Sequence, residues 1–253
     1  MNSDVKLACG TCLDRSVVLL ICELTSVAPL VLVGLPARGK TYIAHRLARY
    51  LRWLCMETKV FNVGNYRRKA FGAEQTHQFF DEKNKEALAS RKQAALEALQ
   101  DMKRWFSSGG QVGIYDATNS TKERRQLLLE SCERDDIQVL FVESICEDEE
   151  IILNNIRQVK LSSPDYINMD PDHAVEDFRA RIRHYEEAYE TISEPELSYI
   201  KLINVGEKYV INRVRDYLQS RIIYYLMNLQ VSNRSIFLTR VRFTVSFLRR
   251  SRG

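Results

Sequence analysis

The feature that most constrains this chain is one segment, Gly34-Leu-Pro-Ala-Arg-Gly-Lys-Thr41, which matches G-x-x-x-x-G-K-[ST] at every fixed position. In such a loop, backbone N–H groups surround phosphate oxygens, the lysine reaches the β- and γ-phosphates, and the hydroxyl ligates Mg²⁺. The pattern requires a buried strand before it and a helix after it. The apolar run 30–33 and the amphipathic stretch 41–54 supply both, which disfavours the alternative of a glycine-rich turn with a coincidental lysine.

Short apolar runs and longer amphipathic stretches alternate along the rest of the chain. The pattern predicts strands at 30–33, 59–63, 111–115, 139–143 and 199–203, and helices at 41–54, 85–106, 121–134, 147–159, 173–190 and 208–228. Further short strands are predicted at 17–22 and 235–239. Strands that alternate with helices of this length predict an α/β fold with a mostly parallel sheet and right-handed crossovers.

Charge and cysteine content narrow the class of protein. The net charge of +4 suits small anionic ligands and is too weak to indicate nucleic-acid binding. The six cysteines form no dense framework, and the Cys9-x-x-Cys12 pair has no second pair to complete a zinc site, so we expect reduced thiols. Glu23 and Pro29 interrupt the longest apolar stretch, which disfavours a membrane span. We therefore expect a cytoplasmic protein that binds neither membrane nor nucleic acid.

A carboxylate that would complete the metal site follows the strand at 111–115. Asp116 stands at the carboxyl end of that strand, where ligands bind in open α/β sheets. A phosphate-binding loop of this kind uses such an aspartate together with its own hydroxyl to hold Mg²⁺. Thr41 and Asp116 are therefore the predicted metal ligands, and the alternative is that Asp116 only caps a turn.

Arginines stand at unexpected places and predict a second anion site. Arg91 lies on the apolar stripe of the helix at 85–106, and Arg181 shares one helical face with Phe178 and Tyr185. A guanidinium group binds phosphate with two parallel hydrogen bonds, so such residues favour a phosphorylated acceptor. A side chain that snorkels to solvent, or an ion pair, is the alternative for each of them.

A third arginine belongs to the start of a helix. Ser120-x-x-Glu123 predicts a capping box, which places Arg124 in the first helical turn, where the helix dipole disfavours a cation. A bound anion would offset that cost. Arg67 and Arg68, just after the strand at 59–63, extend the same basic rim.

At these residues the chain resembles the kinase half of the bifunctional 6-phosphofructo-2-kinase/fructose-2,6-bisphosphatase family, over about 29–239. The matching segments are 34–42, Phe61-Asn-Val-Gly64, Tyr66-Arg-Arg68, Asp116-Ala-Thr-Asn119, Glu123-Arg-Arg125, Phe141-Val-Glu-Ser144 with Cys146, and Val159-Lys-Leu-Ser-Ser-Pro-Asp-Tyr166. Residues 219–228 resemble the family's junction helix. The resemblance implies an adenylate-kinase-like P-loop fold in three layers, and a homodimer or a mixed dimer with full-length members. It also implies that MgATP phosphorylates the 2-hydroxyl of fructose 6-phosphate to give fructose 2,6-bisphosphate.

The resemblance also assigns individual residues. Those implied for the nucleotide are Gly34, Leu35, Pro36, Ala37, Arg38, Gly39, Lys40, Thr41, Tyr42, Asn155 and Lys160. Those implied for the sugar phosphate are Arg67, Arg91, Thr118, Arg124, Lys160, Arg181 and Tyr185. Lys40, Asp116, Cys146 and Lys160 match the catalytic positions. The residues leave open whether Asp116 also accepts the hydroxyl proton, and whether Cys146 is only structural.

The resemblance predicts three regions: an amino-terminal segment at 1–28, the kinase domain at 29–233, and a remnant of the phosphatase domain with a basic tail at 234–253. Leu238-Thr-Arg240 starts the family's phosphatase motif, but Val241-Arg-Phe243 follows in place of His-Gly-Glu. We therefore expect no bisphosphatase activity, and a solvated tail. Position 65 is Asn in this chain, where the family usually has Glu or Gln.

The residues alone leave two other functions open. The first is a P-loop kinase for another acceptor, such as a nucleoside or a polynucleotide end, which would need an aromatic base pocket or an extended basic groove. The second is a catalytically weak subunit that acts by forming dimers with full-length relatives.

Overall fold

The computed structural model of the protein describes residues 27–133, 138–160 and 163–229. The predicted strands at 17–22 and 235–239, and the predicted remnant and tail at 234–253, lie outside these residues. Within the described ranges, no helix combines the length and the apolar character that crossing a bilayer would require.

The chain alternates strands and helices in the order that the sequence predicts. The first half contains β1 (Ala28–Val33), α1 (Lys40–Trp53), β2 (Thr58–Asn62), α2 (Val63–Phe71), a 3₁₀ turn (His77–Phe80), α3 (Lys85–Ser107) and β3 (Val112–Asp116). The second half contains α4 (Lys122–Glu133), β4 (Leu140–Ile145), α5 (Glu149–Asn155), a π-helical turn (Ile156–Lys160), α6 (Pro171–Glu186), β5 (Ser198–Ile203), a 3₁₀ turn (Asn204–Gly206), β6 (Lys208–Asn212) and α7 (Tyr217–Met227).

The strands form one six-stranded sheet in the order β2-β3-β1-β4-β5-β6. The first five strands run parallel, and β6 pairs antiparallel with β5. The mostly parallel α/β sheet that the sequence predicts is therefore confirmed. Because β3 and β4 flank β1, the carboxyl ends of these three strands meet at one edge, beside the start of α1.

Helices cover both faces of the sheet and make three layers. On one face, Leu47 of α1 and Ile223 of α7 pack against buried strand residues such as Leu32. On the other face, Leu99 of α3 and Leu128 of α4 complete a second core. Each fully buried aliphatic side chain of this kind stabilises the fold by roughly 1.5–3 kcal/mol.

Two local predictions are wrong, and one helix was not predicted. The helix predicted at 208–228 is divided into β6 and α7, because Gly206 (φ 95°) turns the chain back so that β6 pairs with β5. Helix α2 was not predicted as a helix at all. The cap of α4 is Thr121 rather than Ser120, since the backbone N–H of Arg124 donates to Thr121 Oγ1 at 3.2 Å.

Gly34 supports a direct prediction about stability, because a Cβ atom there would lie 2.4 Å from the backbone oxygen of Ser144. Its φ of 139° adds strain for any side chain. We expect Gly34→Ala to lower the free energy of unfolding by about 3 kcal/mol. Gly109→Ala is the matched control, since Gly109 has φ 98° but open space around it. That control should cost only about 1 kcal/mol. Equal losses in urea denaturation would contradict the steric argument.

Candidate active site

The phosphate-binding loop, residues 34–41, connects the end of β1 to the first turn of α1. Gly39 adopts the left-handed conformation (φ 76°) as the residue that precedes α1, and the N–H of Gly34 donates to Thr118 O at 2.9 Å. Lys40 is buried (8% exposed), and its Nζ donates to Leu35 O at 2.6 Å. The lysine is thus folded back over its own loop, at the N-terminus of a helix, where anions bind.

Elements that follow in the chain hold the loop in place. Ser144, at the end of β4, donates its hydroxyl to Arg38 O, and Asn155, at the end of α5, donates to Ala37 O at 3.0 Å. These contacts fix two carbonyl groups of the loop and so restrict its conformation. Asn155 was predicted for nucleotide binding, and the structure places it against the loop.

The Arg38 side chain is directed into the protein rather than to solvent. Its guanidinium donates to Cys146 O and Pro36 O, both at 3.0 Å, and lies 3.5 Å from a Glu186 carboxylate oxygen. Burial lowers the pKa of Arg38, and the charge of Glu186 partly offsets that effect. The side chain therefore ties the loop to β4 and α6, whereas only its backbone belongs to the predicted phosphate cradle.

Asp116 lies beside the loop, at the end of β3, and is buried (3% exposed). Its neighbour in the β2–β3 ladder is Asn62, whose Nδ2 donates to Asp116 Oδ2 at 2.5 Å. Asp116 and Thr41 line the same cleft. The described residues contain no group of three or more His, Cys, Asp or Glu side chains suited to a metal ion. One carboxylate and one hydroxyl fit Mg²⁺, which usually keeps waters and substrate phosphate oxygens as its other ligands.

A continuous cleft of about 1250 Å³ contains both parts of the predicted site. Pockets for a single small ligand usually measure roughly 300–1,000 Å³, so this cleft has room for two. The predicted residues that line it are Pro36, Ala37, Arg38, Gly39, Lys40, Thr41, Tyr42, Arg67, Arg91, Asp116, Thr118, Arg124, Cys146, Asn155, Arg181 and Tyr185. Gly34 and Leu35 contribute to the loop without lining the cleft.

Three arginines converge on one carboxylate, and we call this group the arginine cluster: Arg67, Arg68 and Arg181 around Asp165. Their nitrogens lie 2.6, 3.4 and 3.5 Å from Asp165 Oδ2. Burial acts to raise the pKa of Asp165, but the hydrogen bond from Arg67 and the three positive charges outweigh it and hold the pKa below its ordinary value. One carboxylate cannot balance three guanidinium groups, so the cluster keeps an excess of positive charge that favours an anion.

The aromatic ring of Phe80 contacts two arginines of the cluster. The Arg181 guanidinium lies 3.6 Å from the centroid of the buried Phe80 ring, and that of Arg67 lies 5.5 Å from it. Such cation–π contacts favour the charged form and restrict the side chain. Arg181 Nε is buried and has no hydrogen-bond partner among the described residues. These contacts therefore restrict the arginine side chains, and Arg181 Nε can still donate a hydrogen bond.

Arg91 and Arg124 enter the cleft from helices α3 and α4. Arg91 donates to Asp81 O at 3.3 Å and lies 5.9 Å from the Tyr185 ring centroid. Arg124 donates to the hydroxyl oxygen of Tyr115 at 2.7 Å. Burial raises the pKa of Tyr115 to about 12, although Arg124 acts in the opposite direction, so this tyrosine stays neutral. The helix spacing that singled out Arg91 and the first-turn position that singled out Arg124 thus identified residues that line the cleft.

The remaining predicted residues have different surroundings. Cys146 is buried (7% exposed), with Sγ 4.0 Å from Asp148 O. Tyr42 is 40% exposed and accepts a hydrogen bond from Arg46 at 3.0 Å. Lys160 ends the π-helical turn, and its side chain lies outside the described residues.

Sequence reasoning missed four side chains that shape the site: Asn62, Phe80, Tyr115 and Asp165. Asn62, Phe80 and Asp165 contact predicted residues at least 54 positions away, and Tyr115 contacts Arg124, nine positions away. Periodicity carries no signal for such contacts. Asn62 and Asp165 had a signal, since they belong to the Phe61-Asn-Val-Gly64 and Ser-Ser-Pro-Asp-Tyr segments of the resemblance.

Comparison with solved structures supports the P-loop kinase fold. The Mycobacterium tuberculosis APS kinase CysC, solved in complex with AMPPNP and APS, has a TM-score of 0.50 and 14% identity, covering 80% of this chain and 98% of that chain. Chaetomium thermophilum Kti12, solved in complex with ADP-AlF3, has a TM-score of 0.50 and 17% identity, covering 81% of this chain and 100% of that chain. At these identities the likeness shows the fold alone.

Sequence comparison shows the family. The family model described as 6-phosphofructo-2-kinase matches residues 23–233. Human 6-phosphofructo-2-kinase/fructose-2,6-bisphosphatase 4 is 51% identical over 224 residues, which is 87% of this chain and 48% of the relative. The Aquarana catesbeiana 6-phosphofructo-2-kinase/fructose-2,6-bisphosphatase is 51% identical over 215 residues, covering 83% of this chain and 46% of the relative. The chain thus spans about half the length of these curated relatives, and it belongs to the 6-phosphofructo-2-kinase family.

Proposed function

We propose that this chain transfers the γ-phosphoryl group of MgATP to the 2-hydroxyl of fructose 6-phosphate and forms fructose 2,6-bisphosphate. The observation that carries the proposal is the single cleft that a phosphate-binding loop and a group of arginines both line. Phosphoryl transfer needs positioning and charge neutralisation rather than covalent chemistry from the protein. Family membership supports the choice of acceptor.

Each part of the cleft has a role in this reaction. The loop N–H groups and Lys40 bind the β- and γ-phosphates of ATP, and Lys160 is assigned to the nucleotide by the resemblance. Thr41 and Asp116 hold Mg²⁺, which neutralises charge on the phosphate oxygens when it is bound. Arg67, Arg91, Arg124 and Arg181, with Thr118 and Tyr185, bind the sugar phosphate and direct its 2-hydroxyl towards the γ-phosphorus. The buried Cys146 thiol packs under the loop and is not a nucleophile in this scheme.

We also propose that residues 29–233 form the kinase domain and that the chain acts in the cytoplasm as a homodimer or a mixed dimer. The strand β6 supports the dimer, because it is the edge strand of the sheet among the described residues and its Ile211 is 41% exposed. An unpaired strand edge can accept a strand from a second chain. Sedimentation of the purified protein measures this directly, and a monomer at micromolar concentration would contradict it.

The test of the function is an assay of the purified chain with MgATP and fructose 6-phosphate that detects fructose 2,6-bisphosphate directly. We expect product with fructose 6-phosphate, and with unphosphorylated fructose we expect no ADP release above background, since the arginines need a phosphate to bind. A folded protein that binds ATP but forms no product would overturn the proposal. That result would favour the role of a dimerisation partner.

Arg181→Ala should raise KM for fructose 6-phosphate by roughly 10–100-fold, because a hydrogen bond to a charged group contributes about 1.5–3 kcal/mol. KM for ATP should change little, since Arg181 belongs to the arginine cluster and not to the phosphate-binding loop. The matched control is Arg183→Ala on the same helix, where the side chain is exposed and does not line the cleft. Equal effects on both substrates would place Arg181 outside the sugar-phosphate site.

A further inference from the structure

Asn62 occupies the junction between the two halves of the cleft. It is the last residue of β2 and the partner of Asp116 in the parallel ladder, so their side chains lie next to each other at the carboxyl edge of the sheet. Its amide nitrogen donates to Asp116 Oδ2. A donor at this position fixes which way the carboxylate faces.

The oxygen of the same amide caps the start of helix α2. Asn62 Oδ1 accepts from the backbone N–H of Asn65 at 3.1 Å, which is the N-cap contact of that helix. Since one oxygen and one nitrogen each have a partner, the orientation of the amide is defined. Five residues after Asn62, α2 carries Arg67, which donates to Asp165 at 2.6 Å.

These contacts form a continuous path of hydrogen bonds and one helix. The path leads from Asp116 through Asn62 and α2 to Arg67 and Asp165, and Asp165 also holds Arg181 at 3.5 Å. Core packing and a hydrogen bond from Tyr66 also hold the first turn of α2, so the cap is one of several contacts that set its position. A change at Asn62 therefore reaches both the carboxylate and the helix that positions the arginine cluster.

We propose that Asn62 is a positioning residue for phosphoryl transfer: it orients the Asp116 carboxylate and ties it to the helix that carries Arg67. The inference rests on the proposed function for its kinetic consequence. It concerns Asn62 itself, which would neither contact the transferred group nor ligate the metal. Groups that orient a metal-binding side chain typically contribute roughly 10–100-fold to metal affinity or activity.

Two substitutions separate the roles of the amide. Asn62→Ser keeps an oxygen that caps α2 but removes the longer amide NH₂ group that reaches Asp116 Oδ2, whereas Asn62→Ala removes both. We expect Asn62→Ser to lower kcat by roughly 10–100-fold with KM for fructose 6-phosphate nearly unchanged. Asn62→Ala should lower kcat similarly and also raise that KM, because the start of α2 is released.

Asn84→Ser is the matched control. Asn84 caps α3 through the same contact, from Ala87 N at 3.0 Å, and does not line the cleft. It should lower the melting temperature as much as Asn62→Ser does, and leave kcat unchanged. A kcat for Asn62→Ser within twofold of the wild type would overturn the orienting role. Identical KM values for Asn62→Ser and Asn62→Ala would overturn the link to α2.

A binding measurement keeps the inference separate from the proposed reaction. Calorimetry of ADP with and without Mg²⁺ gives the gain in affinity that the metal provides. Asn62→Ser should reduce this gain by roughly tenfold while metal-free ADP binds as in the wild type. A wild type that makes no fructose 2,6-bisphosphate would overturn the proposed function but not the role of Asn62. An unchanged metal-dependent gain in affinity in Asn62→Ser would overturn the role of Asn62.

Discussion

Replacing Lys40 by methionine should reduce kcat for phosphoryl transfer by roughly 10²–10³-fold, the effect of removing one well-placed electrostatic group from an active site. The lysine is buried at the start of α1, and methionine keeps most of its length while removing its charge. As the γ-phosphoryl group leaves ADP, negative charge moves towards the bridging oxygen, and a nearby ammonium group stabilises that change. Because this stabilisation grows in the transition state, kcat should fall more than KM for ATP rises.

The main alternative outcome is a damaged loop, because Lys40 Nζ also bonds to Leu35 O at 2.6 Å. Thermal denaturation and ADP binding distinguish the two cases: a folded variant that still binds ADP has lost chemistry and not structure. Lys208→Met, at an exposed position of β6 outside the cleft, is the matched control and should keep full activity. A Lys40→Met enzyme with more than a fifth of the wild-type kcat would contradict the assigned role.

The phosphate-binding loop and the arginines of the cleft were predictable because both leave local marks. The loop has fixed residues at fixed spacing, and its flanking strand and helix follow from apolar periodicity. Arg91 and Arg181 were noticed because a cation interrupts an apolar helix face. The structure shows that both arginines line the cleft, which is consistent with a functional origin of this local conflict.

The features that sequence reasoning missed depend on contacts between distant segments. Asp165 is 98 residues from Arg67 along the chain, and Asn62 is 54 residues from Asp116. Neither pair has a periodic signature. Strand β6 was absorbed into a longer predicted helix although Tyr209, Val210 and Ile211 are residue types that strands favour, because its pairing with β5 has no periodic signature either.

Removing the charge of Asp165 should have the largest effect on stability. In the Asp165→Asn variant, three guanidinium groups lose their shared counter-charge. The side chains of Asp165 and Arg67 are each only 4% exposed, so water cannot replace the lost contact. Breaking a buried ion pair of this kind costs roughly 3–5 kcal/mol of the free energy of unfolding. Chemical denaturation of the wild type and of Asp165→Asn measures the loss of stability.

The matched control is Asp101→Asn. Asp101 also contacts two cations, Lys59 and Arg104, at 3.7 and 3.4 Å, but it is 32% exposed and lies outside the cleft. Solvent screens such a carboxylate, so its replacement should cost about 1 kcal/mol or less. Equal losses in the two variants would contradict the view that burial of the arginine cluster decides the effect.

The dependence of stability on pH and on phosphate distinguishes an effect of the Asp165 charge from an effect of its packing. Since its folded pKa is depressed, its contribution is fully present above the unfolded value of about 3.9 and is lost as pH falls through the folded value. The wild type and Asp165→Asn should therefore become equally stable in acid. At neutral pH, inorganic phosphate should raise the melting temperature of Asp165→Asn more than that of the wild type, because a bound anion supplies the missing counter-charge. A loss of stability that neither acid nor phosphate alters would mean that Asp165 acts through packing, and that the cluster does not behave as an anion site.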